Sequence, residues 1–197
     1  MLCNISGGKL VEFVVPIKDI NKIQKIKELL KKSSLRDLLL FVLGINTGIR
    51  LQDLLHLKVE DVWDGKQAKD FLYVVDEIDG ETQAFYLNKQ VKDAIQTYLQ
   101  SIVYKPSDYL FKSKKNDLPI TRQQAYRIIN HVAKEAGVEG NIGTHTLRKT
   151  FGYHAYKKGV AISIIMSIFK HHSSTETLKY IGIDKNEENI IQVDVNL

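Results

Sequence analysis

A single cysteine, Cys3, stands in a chain of 197 residues, so neither an internal disulfide nor a cysteine-based zinc site can form. Proline is nearly as scarce. Its three occurrences, with no repeat or low-complexity segment beside them, mark no internal boundary at which the chain would divide into domains. The longest apolar run, Leu38 to Leu43, falls far short of the roughly 20 residues that cross a bilayer. No positively charged segment followed by an apolar stretch opens the chain, and a cytoplasmic protein without membrane contact is expected. His-Glu-x-x-His and clustered carboxylates are missing too, which argues against metal-dependent hydrolysis.

What remains is ordinary globular material. With 44% hydrophobic and 26% charged residues, the chain suits one domain that buries roughly two-thirds of its unfolded surface. A formal charge of +5 favours a polyanionic partner, since Lys and Arg displace counterions from phosphates. Charge alone leaves nucleic-acid binding and a merely basic surface as equal alternatives, and the lysines from Lys18 to Lys32 read as one solvated helix face.

After Pro16, apolar residues recur at helical spacing through Ile20, Ile23, Ile26, Leu29 and Leu30. Ser33 and Ser34 can cap the next helix, whose run Leu38 to Leu43 is apolar on all sides and therefore central. Thr47-Gly48 breaks it. Leu51, Leu54, Leu55 and Leu57 outline a short helix. Val59 to Trp63, Phe71 to Val75 and Ala84 to Leu87 read as three short antiparallel strands, the last two joined through Asp79-Gly80. Val91 to Ile102 makes an amphipathic helix, and Thr121 with Gln124 resembles a capping box for a helix ending at Gly137. Helices are then expected from Thr144 to about Lys158, Ile162 to about Phe169 and Ser174 to about Ile181. The expected fold is α+β, mostly helical, with one small three-stranded sheet.

Several residues could do chemistry together. Thr144 as N-cap would set His145 and Arg148 one turn apart near the positive end of a helix, able to meet one phosphate. Arg50 follows Gly48, whose turn could project the guanidinium inward. His171 precedes Tyr180 by nine residues in the sequence. Each has a bland reading in isolation: a partly buried histidine, a surface arginine, a tyrosine ring packed in the core. A phenol with pKa near 10 is ionised to about one part in a thousand at pH 7, a cost of roughly 4 kcal/mol that cations around a phosphate could offset.

Taken together, the segments resemble the catalytic domain of the tyrosine recombinase (phage integrase) family. Thr47-Gly-Ile-Arg50 through Asp61 resembles the first-arginine motif, His145-Thr-Leu-Arg148 the His-x-x-Arg motif, and Ile168-Phe-Lys-His171 with Thr177-Leu-Lys-Tyr180 the third-histidine and nucleophile motifs. The resemblance spans Lys18 to Ile183. It implies an integrase-type catalytic domain that cleaves and rejoins double-stranded DNA through a 3′-phosphotyrosyl link, without cofactor, ATP or small-molecule substrate. Arg50 and Arg148 would clamp the phosphate, His145 and His171 would bond its oxygens and assist proton movement, and Tyr180 would attack.

Two departures accompany the resemblance. The family's general acid, a lysine in the turn between the second and third strands, falls on Ile78 here, and Asp76, Glu77, Asp79 and Glu81 make that turn acidic. Slow cleavage and repulsion from DNA are expected, unless Lys66, Lys69 or Lys89 substitutes. Family members also carry a helical domain ahead of this one, so the expectation is a piece of a longer recombinase that binds DNA weakly by itself. Residues 1–17 would be a linker or boundary segment, 18–183 the catalytic domain, and 184–197 a tail that docks on a neighbouring protomer or folds back, in a tetramer on DNA. A silent DNA-binding remnant and a type IB topoisomerase-like activity are the competing functions.

Overall fold

The computed structural model describes residues 14–76 and 80–183. The expectations for Glu77, Ile78, Asp79 and the tail 184–197 lie outside the described residues. In chain order the elements are α1 (Ile20–Ser33), α2 (Leu35–Thr47), α3 (Leu51–His56), α4 (Val59–Val62), β1 (Phe71–Val75), β2 (Thr82–Tyr86), α5 (Lys89–Leu99), α6 (Arg122–Glu135), α7 (Thr146–Lys157), α8 (Ile162–Phe169) and α9 (Ser174–Ile181).

As its composition requires, α2 is the central rod. Leu39, Leu40, Phe41, Val42 and Leu43 are all buried, so every side of the helix meets protein. Ser34 caps it by accepting from the Asp37 N–H, and Gly48 ends it in the left-handed region at φ 70°. α1, α5 and α7 pack around this rod. Ile23, Ile26 and Leu30 of α1 join Ile129 and Val132 of α6 in one apolar cluster, while Ile165, Phe169, Ile181 and Ile183 form another beneath α7. Val14 to Ile17, ahead of the boundary expected at Lys18, lie along α7: Lys149 Nζ donates to the Val14 carbonyl at 2.7 Å, and the Ile17 N–H donates to Thr150 Oγ1 at 2.9 Å.

The expected sheet loses a strand. Among the described residues β1 and β2 pair antiparallel, with Phe71 opposite Tyr86 and Val75 opposite Thr82, and no third strand joins them. Val59–Val62 is instead a helical turn. Asp61 accepts from the Lys58 N–H at 2.7 Å, and the N–H groups of Val59 and Glu60 donate to the carbonyls of Asp108 and Pro106. With the first turn satisfied in this way, Val59 and Val62 point inward together at helical spacing. Trp63 makes only an isolated bridge, to Ala68. At the other end of the chain, α7 begins after His145 rather than after Thr144, whose hydroxyl accepts from Arg122 and caps nothing.

α2 and α7 approach closely because two glycines, four residues apart, face two large side chains with the same spacing. A Cβ on Gly44 would lie 2.6 Å from Leu147 Cδ1, and one on Gly48 would lie 2.3 Å from Phe151 Cδ1. Gly48→Ala meets both that overlap and an unfavourable positive φ, and is expected to destabilise the fold by about 2–4 kcal/mol. Urea unfolding checks this as a lowered midpoint at unchanged slope. A shift no larger than that of an exposed Ala substitution would contradict it.

Candidate phosphate-binding site

The five residues singled out in the sequence meet in one place. Arg50, His145, Arg148, His171 and Tyr180 line a cleft of about 340 Å³, together with Gln52, Arg122 and Phe169. They arrive on α7, α9, the turn after α8 and the N-terminus of α3.

The two arginines are held differently. Arg50, at the N-cap position of α3, donates from Nε to Asp53 at 2.8 Å and from Nη2 to Asp76 at 2.9 Å. The Asp53 hydrogen bond, more than any other contact, lifts its pKa further above the usual arginine value. Arg148 is partly buried and makes no ion pair with a carboxylate among the described residues. Its Nη1 donates to the Gly48 carbonyl and its Nη2 to the Ile168 carbonyl at 3.2 Å, and the guanidinium lies 4.5 Å over the Phe169 ring. Burial lowers its pKa, yet an arginine keeps its proton in proteins. A withdrawn cation satisfied only by dipoles and a ring face favours an incoming anion.

Tyr180 stands between the histidines. Its hydroxyl lies 3.2 Å from His145 Nδ1, and its ring meets those of His171 and Phe169 edge-on at 5.0 and 5.4 Å. Burial raises the phenol's pKa, with Arg148 opposing, so the proton stays on the oxygen until attack. His171 Nδ1 is 3.0 Å from Thr177 Oγ1, which itself donates to the Ser173 carbonyl at 3.1 Å. With that hydroxyl proton committed, Oγ1 accepts from His171 Nδ1–H and leaves Nε2 for the cleft. Desolvation lowers the pKa of both histidines; for His145 the charges of Arg122, Lys149 and Arg148 add to it.

Three neighbours escaped the sequence reading. Lys149 places its ammonium 4.9 Å from the centre of the Tyr180 ring. Asp76 is buried at 5% exposure, and its carboxylate joins Arg50 and Lys170 instead of facing outward to repel DNA. Lys170 occupies the left-handed region at φ 55°, alone among the described residues other than glycine. The close spacing of Arg50 and Asp53 was the one available signal for the carboxylate set. Lys66, Lys69 and Lys89 line neither this cleft nor the cavity beside it.

The architecture is that of an integrase-type catalytic domain. A crystal structure of XerA recombinase superposes with a TM-score of 0.72 at 21% identity, over 92% of this chain and 64% of that one. XerH site-specific recombinase bound to palindromic difH substrate, in a post-cleavage complex, matches with a TM-score of 0.69 at 20% identity, over 88% and 51%. In sequence, the phage integrase family profile matches residues 15–187. "Probable integrase/recombinase YoeC" of Bacillus subtilis strain 168 is 40% identical over 176 residues, which cover 89% of this chain and 93% of that protein. The chain therefore belongs to the phage integrase family, the tyrosine recombinases. It spans only 51% to 59% of the length of the tyrosine recombinases it also matches.

Depressed histidine pKa values carry a definite sign. A histidine held neutral in the fold contributes stability that is fully present above its unfolded pKa of about 6.5 and is lost as pH falls through the lower folded value. In an NMR titration His145 and His171 are expected to protonate below about pH 6.5. Midpoints at or above that value would contradict the desolvated cleft.

Proposed function

We propose that this chain is the catalytic domain of a site-specific DNA recombinase, cutting and rejoining double-stranded DNA through a covalent link from Tyr180 to a 3′-phosphate. The observation that carries this reading is the cleft itself. The guanidinium groups of Arg50, Arg122 and Arg148 share it with two imidazoles and a phenol, and Arg148 has no carboxylate partner among the described residues.

Arg50 and Arg148 hold the non-bridging oxygens of the scissile phosphate. Each gains from the trigonal-bipyramidal transition state, where negative charge on those oxygens is greatest. His171, oriented through Thr177, points Nε2 at the same oxygens and donates to them once it is protonated, a form that the phosphate's negative charge favours. Tyr180 attacks phosphorus as His145 Nδ1 takes the phenolic proton, since the raised phenol pKa rules out a standing phenolate. The 5′-oxygen leaves, and the bond energy is retained in the phosphotyrosyl ester, so rejoining is the reverse step with a second 5′-hydroxyl as nucleophile. ATP has no place in this exchange, and neither does a bound metal or cofactor.

Family membership, the formal charge of +5 and the XerH neighbour bound to its palindromic difH substrate support double-stranded DNA as the partner. Assembly of the full recombinase as a tetramer on DNA, with residues 184–197 exchanged between protomers, is part of the same proposal. So are a catalytic domain bounded near residues 18 and 183 and a cytoplasmic site of action. Ile78 stands where the family's general-acid lysine is expected and has no proton to give, so cleavage is slow unless another group supplies one.

A nicked suicide duplex tests the reading, because loss of the short strand traps the cleaved state. The parent chain is expected to form a denaturant-stable adduct. Tyr180→Phe should abolish it, and Arg148→Ala should slow it by about 10²–10³-fold, as removal of a transition-state donor does. Binding without adduct would instead favour a silent DNA-binding remnant. Relaxation of supercoiled plasmid by the monomer would favour a topoisomerase.

A further inference from the structure

One proton in the proposed reaction has no owner, and assigning it rests on the reading of Tyr180 as nucleophile. When the Tyr180 oxygen bonds to phosphorus and the P–O5′ bond breaks, the departing oxygen becomes an alkoxide unless protonated as it leaves. Such an oxygen has a conjugate acid near the pKa of water, about 15.7, whereas an alkylammonium loses its proton near 10.4, so transfer from ammonium to alkoxide runs downhill. A positioned donor speeds such a step by about 10²–10⁴-fold.

Most cations near the cleft are unsuited to this. Arginines keep their protons. His145 is engaged with the nucleophile. Lys149 is tied to the Val14 carbonyl and lies over the Tyr180 ring, on the attacking side. Lys69 donates to the Glu60 carbonyl, and Lys89 pairs with Asp93.

Lys170 is placed otherwise. It lines a smaller cavity of about 60 Å³ with Asp53, Asp76 and Gln83, and this cavity shares Arg50, Arg148 and Phe169 with the tyrosine cleft. Tyr180 thus lines one cavity and Lys170 the other, and the arginine pair lines both. An in-line displacement needs nucleophile and leaving oxygen on opposite sides of the phosphorus, and two cavities that share the arginine pair offer a place for each. Asp76 Oδ2 accepts from Lys170 Nζ at 3.0 Å and from Arg50 Nη2 at 2.9 Å, so one buried carboxylate sets the lysine beside the phosphate clamp. Glu81 lies 3.9 Å from the same ammonium. The lysine also sits at φ 55°, where glycine would be unstrained, so a side chain is kept at a conformational cost.

We propose that Lys170 is the general acid of strand cleavage, delivering a proton from Nζ to the 5′-oxygen as the P–O5′ bond breaks. The products are the tyrosyl phosphodiester, a free 5′-hydroxyl, protonated His145 and a neutral Lys170 amine. In rejoining, that amine takes the proton back from the attacking 5′-hydroxyl, and His145 returns its own to Tyr180. Asp76 is a positioning residue for both cations.

The test compares two nicked suicide duplexes, one ordinary and one with sulfur in place of the bridging 5′-oxygen. A thiolate, whose conjugate acid has a pKa of about 8.5, leaves without help. Lys170→Gly removes the ammonium and relaxes the positive φ, so the turn keeps its shape. It is expected to slow cleavage of the oxygen substrate by about 10²–10³-fold while cutting the sulfur substrate within about 3-fold of the parent. Lys170→Arg, which keeps the charge but not a transferable proton, should be equally slow on oxygen and equally normal on sulfur. Equal slowing of both substrates by Lys170→Gly would show a structural role, and no slowing would show none; either overturns the proposal. Parent chain that cuts sulfur but not oxygen would mean no general acid is present, overturning the proposal while leaving the Tyr180 reading intact. Adduct on neither substrate would overturn the Tyr180 reading itself.

Discussion

The contact of α2 with α7 is the constraint on which the rest of the site depends. Gly44 and Gly48 form a shallow track on α2, and Leu147 and Phe151 of α7 lie in it at separations that any Cβ would break. That proximity lets Arg148, one residue after Leu147, reach the Gly48 carbonyl, two residues before Arg50. Gly152 repeats the device one turn further on, where a Cβ would meet Ile181 at 2.6 Å and Phe169 at 2.8 Å. α9 and the end of α8 can therefore close on α7 and carry Tyr180 and His171 to the same cleft. Because catalytic groups lose about 100-fold for a displacement near 1 Å, these packing positions matter to the proposed reaction as much as the residues proposed to meet phosphate.

Charge is distributed unequally across that frame. Arg50 is oriented by Asp53 and Asp76 and stays partly exposed, with 41% of its side chain open to solvent. Arg148 is held by two carbonyls and a phenyl face, which fix its plane without neutralising it. The first arrangement supplies direction and the second an electrostatic deficit that a phosphate can fill. The same low-polarity surroundings hold the histidines neutral and the tyrosine protonated. In the proposed reaction, proton movement is thereby deferred to the transition state, where it contributes to rate.

Legibility in the sequence tracked the range of the forces involved. The all-round apolar run of α2, the Thr121–Gln124 capping box of α6 and the helices of the last third were readable because their signals are local. Val59 to Trp63 misled because its apolar ends also suit a strand, and its helical turn is satisfied by carbonyls about 50 residues away at Pro106 and Asp108. Asp76 was misread for a related reason: it comes after β1 in an acidic run, and only the docking of Arg50 and Lys170 turns its carboxylate inward. Lys170 carried no signal, since a left-handed lysine leaves no trace in composition or period.

By itself the sequence determined which residues could act on a phosphate, their order along the chain and the helices that carry most of them, because motif identity and helical period are properties of short segments. Their convergence was decided by tertiary structure. The close approach of α2 and α7, the inward carboxylate of Asp76 and the placement of Lys170 in a cavity that shares both arginines with the Tyr180 cleft all depend on contacts between residues far apart in the chain. Such contacts form only when the apolar faces of several helices are buried at once, and no window of local sequence contains them.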